Sequence, residues 1–220
     1  MSKSSIVDFT CPNCNNTFKI KRWDSYNPSV LLSPKSKIVS GDIFKYRCPK
    51  CKTEHTVIYQ CLYHDMKNNT MVLLMPDYHE KQYLFSAQEA KLFSVLPNYK
   101  LRLENSYNSF LERIRIIDLN VNDKLFEVYR IIALQQISYS IPNADELYFV
   151  SADKNEYSFQ VLGKGKHIKY AKLNVESFLS LEAQCSNLSQ LEEKYAFEKI
   201  DADWVVRSGL LDAVCKKVCM

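Results

Sequence analysis

Apolar and polar residues alternate near the start of the chain, and further on the apolar ones recur three and four residues apart. Alternation with a period of two predicts half-buried strands, and the longer spacing predicts amphipathic helices. Ile6 to Thr10 and Thr17 to Trp23 read as two strands of one hairpin. Val30 to Ile38 reads as a helical turn interrupted by Pro34, and Ile43 to Arg47 as a lead into a second turn. Val57 to His64 and Met71 to Met75 read as strands joined at Lys67-Asn68-Asn69, where the Asn pair suits the left-handed conformations of a tight turn. Met75 is followed by Pro76, a natural boundary.

The period then changes. Ser86-Ala87-Gln88-Glu89 has the form of a capping box ahead of a short helix stopped by Pro97. Leu101 and Leu103 alternate with Lys100, Arg102 and Glu104, which predicts one exposed strand. Phe110, Leu111, Ile114 and Ile117 lie at helical spacing, and Asn122-Asp123 caps a further helix carrying Leu125, Phe126, Val128, Tyr129 and Ile132. Leu147 to Val150, Glu156 to Leu162 and His167 to Leu173 form a predicted three-stranded meander, turning at Asp153-Lys154-Asn155 and Gly163-Lys164-Gly165. Val175 to Leu191 and Asp203 to Val218 read as two terminal helices. The predicted class is α+β, with strands and hairpins first, then a helical segment and a small antiparallel sheet.

Set into the first strands are Cys11-Pro12-Asn13-Cys14 and Cys48-Pro49-Lys50-Cys51. A Cys-x-x-Cys turn brings two sulfurs close enough to share a metal, and a second such turn completes the tetrahedron that Zn²⁺ prefers. A redox dithiol would need a helix after its first Cys. Here β-forming residues follow both pairs, as in zinc knuckles. Such knuckles often place Gly after the second Cys, because a positive φ is easiest there; this chain has Asn15 and Lys52. With Cys11, Cys14, Cys48 and Cys51 all bound to one structural Zn²⁺, no position stays open for water or substrate.

Composition narrows the class. Hydrophobic residues make up 46% of the 220, which excludes a disordered chain, and no apolar run reaches the roughly 18 residues of a membrane helix. The first residues lack an apolar stretch of signal-peptide length, so the expected compartment is a reducing cytoplasm, and disulfides are the less expected use of eight Cys. Residues 1–76 hold eleven Lys and Arg against five Asp and Glu, whereas the rest hold eighteen against twenty. The basic excess of the chain therefore sits on the cysteine-bearing part.

These landmarks resemble the CpXC family of bacterial and archaeal proteins. The resemblance is carried by the two Cys-Pro-x-Cys turns, by Leu62-Tyr63-His64-Asp65 leading to Pro76, by the stretch from Leu111-Glu112-Arg113-Ile114-Arg115 to Asp123-Lys124-Leu125-Phe126-Glu127, and by Phe197-Glu198-Lys199-Ile200-Asp201 before Trp204. It implies a metal held by Cys11, Cys14, Cys48 and Cys51, and it brings no activity with it. Residues 1–76, the ribbon and hairpin, and 77–220, the helices and meander, would form one CpXC-like unit.

Other candidates are weaker. His64, Asp65 and His79 match no helix-borne metal motif. His55 has no missing thiolate to replace, though a hydrogen bond toward the sulfurs is open to it. Gly163-Lys164-Gly165 lacks the order that cradles phosphate. Cys215 and Cys219 stand one helical turn apart, and their role is not legible; Cys61 and Cys185 fit apolar core patterns. No nucleophile with a base, and no paired carboxylates, stand out for catalysis. The expected role is a structural-zinc protein-interaction or adaptor module. The alternative is nucleic-acid binding through Lys19, Lys21, Arg22, Trp23, Lys45 and Arg47, with Lys35, Lys37 and Tyr46 in the same basic and aromatic set. An enzyme whose site is dispersed in sequence ranks third.

Overall fold

The computed structural model describes residues 2–30, 35–78, 99–164, 166–194 and 196–218. The α+β reading holds. Two hairpins carry the cysteine turns: β1 (Lys3–Thr10) pairs antiparallel with β2 (Thr17–Tyr26), and β3 (Lys45–Arg47) with β4 (Glu54–Thr56). A one-turn helix α1 (Ser36–Val39) and a 3-10 turn (Asp42–Phe44) lead into β3, separated by Gly41 at φ +73°. A side chain at Gly41 would also strike the Tyr107 ring. Leu31 to Pro34, the helix expected after Ser86, and His79 lie outside the described residues.

Of the strand expected over Val57 to His64 only the part from Cys61 forms; β4 ends at Thr56, and residues 57–60 belong to no strand. β4 stays with the cysteine turn, and β5 (Cys61–Asp65) enters a five-stranded sheet with β6 (Thr70–Leu74) and β7 (Lys100–Glu104), in the order β1-β2-β5-β6-β7. The pairings β2 to β5 and β6 to β7 are parallel. Asn69, in the β5–β6 turn, has φ 45°, the left-handed geometry its sequence predicts.

β7 is a correction: it is buried, not exposed. Arg102 and Glu104 are 1% and 3% exposed. Burying them is tolerated because each is bonded. Glu104 Oε1 accepts from Arg113 Nε at 2.8 Å, Arg102 donates to the Leu101 carbonyl, and Glu198 lies alongside β7, exchanging main-chain hydrogen bonds with Leu101 and Leu103.

The described residues within Met1–Ile114 and Lys194–Glu198 group as one compact unit, and those within Arg115–Glu193 and Lys199–Met220 as another. The first unit runs past Pro76, because the parallel pairing of β7 with β6 draws residues 100–104 into the same sheet. Helix α2 (Tyr107–Asp118) follows, and its Phe110 and Tyr107 rings pack on Phe44.

The second unit has an aromatic core. Helix α3 (Asp123–Ser138) is capped by Asn122, whose side chain accepts from the N–H groups of Lys124 and Leu125, as its sequence predicts. The expected meander is present as β8 (Glu146–Ala152), β9 (Glu156–Gly163) and β10 (Lys166–Asn174), with β9 central. Tyr157, Phe159 and Val161 alternate inward from β9, and Phe126 packs its ring 5.3 to 5.5 Å from Tyr157, Phe149 and Phe178. The terminal helices are shorter than expected: α4 (Val175–Cys185), then α5 (Ala202–Arg207) and α6 (Leu210–Val218), broken where Gly209 takes φ +70°. Among the described residues no helix is long and apolar enough to cross a membrane.

Candidate metal centre

The two cysteine turns are built alike. In the first, Cys11 N donates to Asn16 O (3.0 Å) and Asn15 N to Cys11 O (2.9 Å); in the second, Cys48 N donates to Thr53 O (2.9 Å) and Lys52 N to Cys48 O (3.0 Å). These bonds close each turn around a residue at positive φ, Asn15 at 55° and Lys52 at 63°. The same chain reversal is thus made without glycine. Lys52 meets part of the cost locally, its ammonium donating to the Pro49 carbonyl at 2.7 Å.

Folding brings the turns face to face. The four sulfurs of Cys11, Cys14, Cys48 and Cys51 all lie within 4.8 Å of one another, an arrangement that could hold a metal ion. Cys11 Sγ is 3.6 Å from Cys51 Sγ, and Cys14 Sγ is 3.6 Å from Cys48 Sγ. Thiolates about 2.3 Å from a tetrahedral zinc stand about 3.8 Å apart, so the spacing fits such an ion. Each turn contributes one buried cysteine, Cys11 or Cys48, and one partly exposed, Cys14 or Cys51.

The surroundings act on the sulfurs in opposite directions. Thr53 Oγ1 accepts from Asn13 Nδ2 (3.2 Å) and lies 3.3 Å from Cys51 Sγ, so its own proton is available to the sulfur. Hydrogen bonds from the Thr53 side chain, Asn13 and the Thr53 main chain pull the Cys51 thiol down to about 5. Cys14 goes the other way. The Asn16 main chain would lower it, but burial and the neighbouring Cys51, Cys48 and Cys11 push it up to about 11. Four thiols this close cannot all ionise beside one another, and a dication removes that conflict.

His55 Nε2 is 3.2 Å from Cys11 Sγ, with its ring against Phe9. The sequence left this contact open; the β3–β4 pairing of His55 with Tyr46 produces it. Thr53 and Asn13 were not foreseen. Their only sequence signal is position, since Thr53 stands two residues after Cys51 as Asn16 does after Cys14.

Over residues 9–130, more than half of its length, the chain matches the family model described as CpXC protein. The chain belongs to the CpXC family. No curated protein and no solved structure matches it at a significant level. The matched CpXC segment contains all four clustered cysteines.

The remaining candidates separate. His64 Nε2 is 3.1 Å from the Tyr99 hydroxyl. Asp65 is buried among donors, accepting from Lys35 Nζ (2.8 Å), Tyr63 OH (3.0 Å) and the turn amides of Lys67 and Asn68. Of the basic residues, Lys19 pairs with Asp8, Arg22 with Asp24 and Lys45 with Asp42, while Arg47 Nε donates to Lys52 O. Lys21 lies over the Trp23 ring, 4.1 Å from its centroid. Cys61 and Cys185 are buried, burial pushing the Cys61 thiol up to about 12; Cys215 is exposed, and Cys219 lies outside the described residues.

Proposed function

We propose that Cys11, Cys14, Cys48 and Cys51 bind one structural Zn²⁺ per chain, and that the protein is a non-catalytic binding module whose ribbon the metal holds in shape. The observation that carries this reading is the closed set of four sulfurs at tetrahedral spacing. A full thiolate shell leaves no open position for a reacting group and supplies folding free energy instead, roughly 10–16 kcal/mol in small zinc peptides. Within that shell the Cys11 thiolate can only accept hydrogen bonds, so His55 donates to it from Nε2. Thr53 serves Cys51 in the same way.

A protein partner is supported by β1, which is first in the sheet order and has no strand on its outer edge among the described residues. Its Ile6 is 61% exposed. An extended segment adding to that edge would gain main-chain bonds and a contact with Ile6. In a pull-down with the zinc-loaded chain as bait, Ile6→Lys should lower recovery of the partner at unchanged zinc content; equal recovery removes the edge from the reading. A second reading, nucleic-acid binding, draws support from Lys21 and Trp23.

The metal is tested on protein purified without added metal, by elemental analysis with free thiols counted before and after chelation. The expected result is about one zinc per chain with four thiols released. No zinc, with the four cysteines reactive or disulfide-linked, would overturn the reading and bring redox chemistry forward.

A further inference from the structure

Beside the ribbon lies a slot of about 360 Å³, lined by Lys21, Trp23, Tyr26, Lys37, Asp42, Ile43 and Tyr46. Its size falls in the range of small-ligand pockets, about 300–1,000 Å³. A break in strand pairing makes it. Lys19, Lys21 and Trp23 share one face of β2, but the register with β1 slips next, Ser4 lying opposite Trp23 and Lys3 opposite Ser25. Asp24 is therefore an extra residue on β2, a bulge that turns the following residues over. Tyr26 thereby comes to the face of Trp23, and the two rings meet edge to face at 5.2 Å.

The opposite wall comes from α1, the 3-10 turn and β3. The Tyr46 hydroxyl ties the walls together, lying 2.5 Å from the Lys21 carbonyl and 2.9 Å from that of Ile43. Asp42 is met by Lys45 at 3.0 Å, so its charge is compensated. Lys21 and Lys37 enter no ion pair among the described residues, and both are exposed. The slot thus combines an aromatic face with two lysines against one carboxylate, Asp42, which Lys45 pairs with directly and whose carboxyl Lys45 and Lys37 help hold below its usual range. That balance disfavours a cationic ligand and favours a planar aromatic group carrying negative charge.

We propose that this slot binds a nucleotide unit, the base stacking on Trp23 and the phosphate meeting Lys21 and Lys37. The Lys21 ammonium now covers the ring face that a base would use; on binding it passes to the phosphate, exchanging a cation–π contact for an ion pair. Inside a duplex both faces of a base are covered by its stacked neighbours, so the macromolecular source is a single strand; the other source is a free mononucleotide. The proposal depends on the ribbon hairpins being formed, as in the zinc reading.

Titration of the full-length, zinc-assayed chain with labelled oligo(dT), followed by fluorescence anisotropy, tests it, with AMP and an acidic peptide as competitors. Binding should weaken steeply with salt. Trp23→Ala should weaken it by roughly tenfold to a hundredfold, and Trp23→Phe by less. Lys37→Ala, an exposed change that leaves the fold intact, should weaken it and lower the salt slope by roughly one. Competition by AMP at concentrations matching oligo(dT) assigns the free nucleotide, and much weaker competition assigns the strand. No binding by the zinc-loaded chain, binding unchanged in Trp23→Ala and Lys37→Ala, or displacement by the acidic peptide alone would each overturn the proposal. A chain that lacks zinc yet binds through Trp23 would overturn the metal reading and leave this one standing.

Discussion

The cysteine turns and the second unit solve the same problem by different means. In the second unit Phe126, Phe149, Tyr157, Phe159 and Phe178 bury five aromatic rings against one another, and the helices and meander close around them. The paired turns have no such mass. β3 and β4 are three residues each and bury none of them, so on the metal reading proposed above a shared ion, beside contacts such as Asn13 to Thr53 and Tyr46 to Lys21, holds the turns together. The lesson is that order near the cysteines should depend on metal and on proton concentration, whereas order in the second unit should depend on apolar volume.

The largest effect that would break this contrast is loss of a ligand. Cys48→Ser should release the zinc and unfold the two turns with β3 and β4, seen as lost amide protection over residues 9–18 and 45–56, while amides of β9 stay protected. Loss of protection everywhere would show that the two regions are not independent. Phe126→Ala should cost about 3–5 kcal/mol, as for buried aromatics elsewhere, with zinc content unchanged. Denaturant melting beside a metal assay checks both halves. Asn122→Ala removes the cap of α3 and should cost about 0.5–2 kcal/mol, again without loss of metal.

Acid sharpens the contrast within the first unit. Burial alone would raise the Asp65 carboxyl, but the Lys35 ammonium, the Asn68 amide and Tyr63 hold it below the usual carboxylate range. A folded-state pKa that is lowered gives stability present above the ordinary carboxylate range and lost as pH falls through the lowered value. Asp65→Asn should therefore be less stable than the parent at neutral pH and lose less on acidification. An unchanged pH profile would mean that the cluster around Asp65 contributes nothing. The smallest effect is His55→Phe, which should keep the zinc but make Cys11 react faster with thiol reagents, because its thiolate loses a donor; an unchanged rate would remove that role.

What the sequence made legible was local. Two Cys-Pro-x-Cys turns announce themselves within four residues each, and the positive φ expected after the second Cys is present at Asn15 and at Lys52. Asn122 as a cap and the three strands of the meander are signals of the same short range. Contacts between distant segments were not legible. β7 looked exposed because alternation cannot reveal that Arg113 waits elsewhere in the chain for Glu104, or that the main chain at Glu198 pairs with Leu101 and Leu103. The parallel pairings of β2 with β5 and β6 with β7 left no mark on either partner. The bulge at Asp24 was likewise hidden, so Tyr26 could not be grouped with Lys21 and Trp23. At the last helix a signal was present, since Gly209 interrupts the apolar periodicity, and the positive φ there divides α5 from α6.

The claim on which the rest depends is that four thiolates share one metal. X-ray absorption at the zinc edge, on protein purified without added metal, reads that shell directly. The account predicts one zinc environment of four sulfurs at about 2.3 Å. A shell containing nitrogen or oxygen, fewer than four sulfurs, or no zinc at all would contradict it.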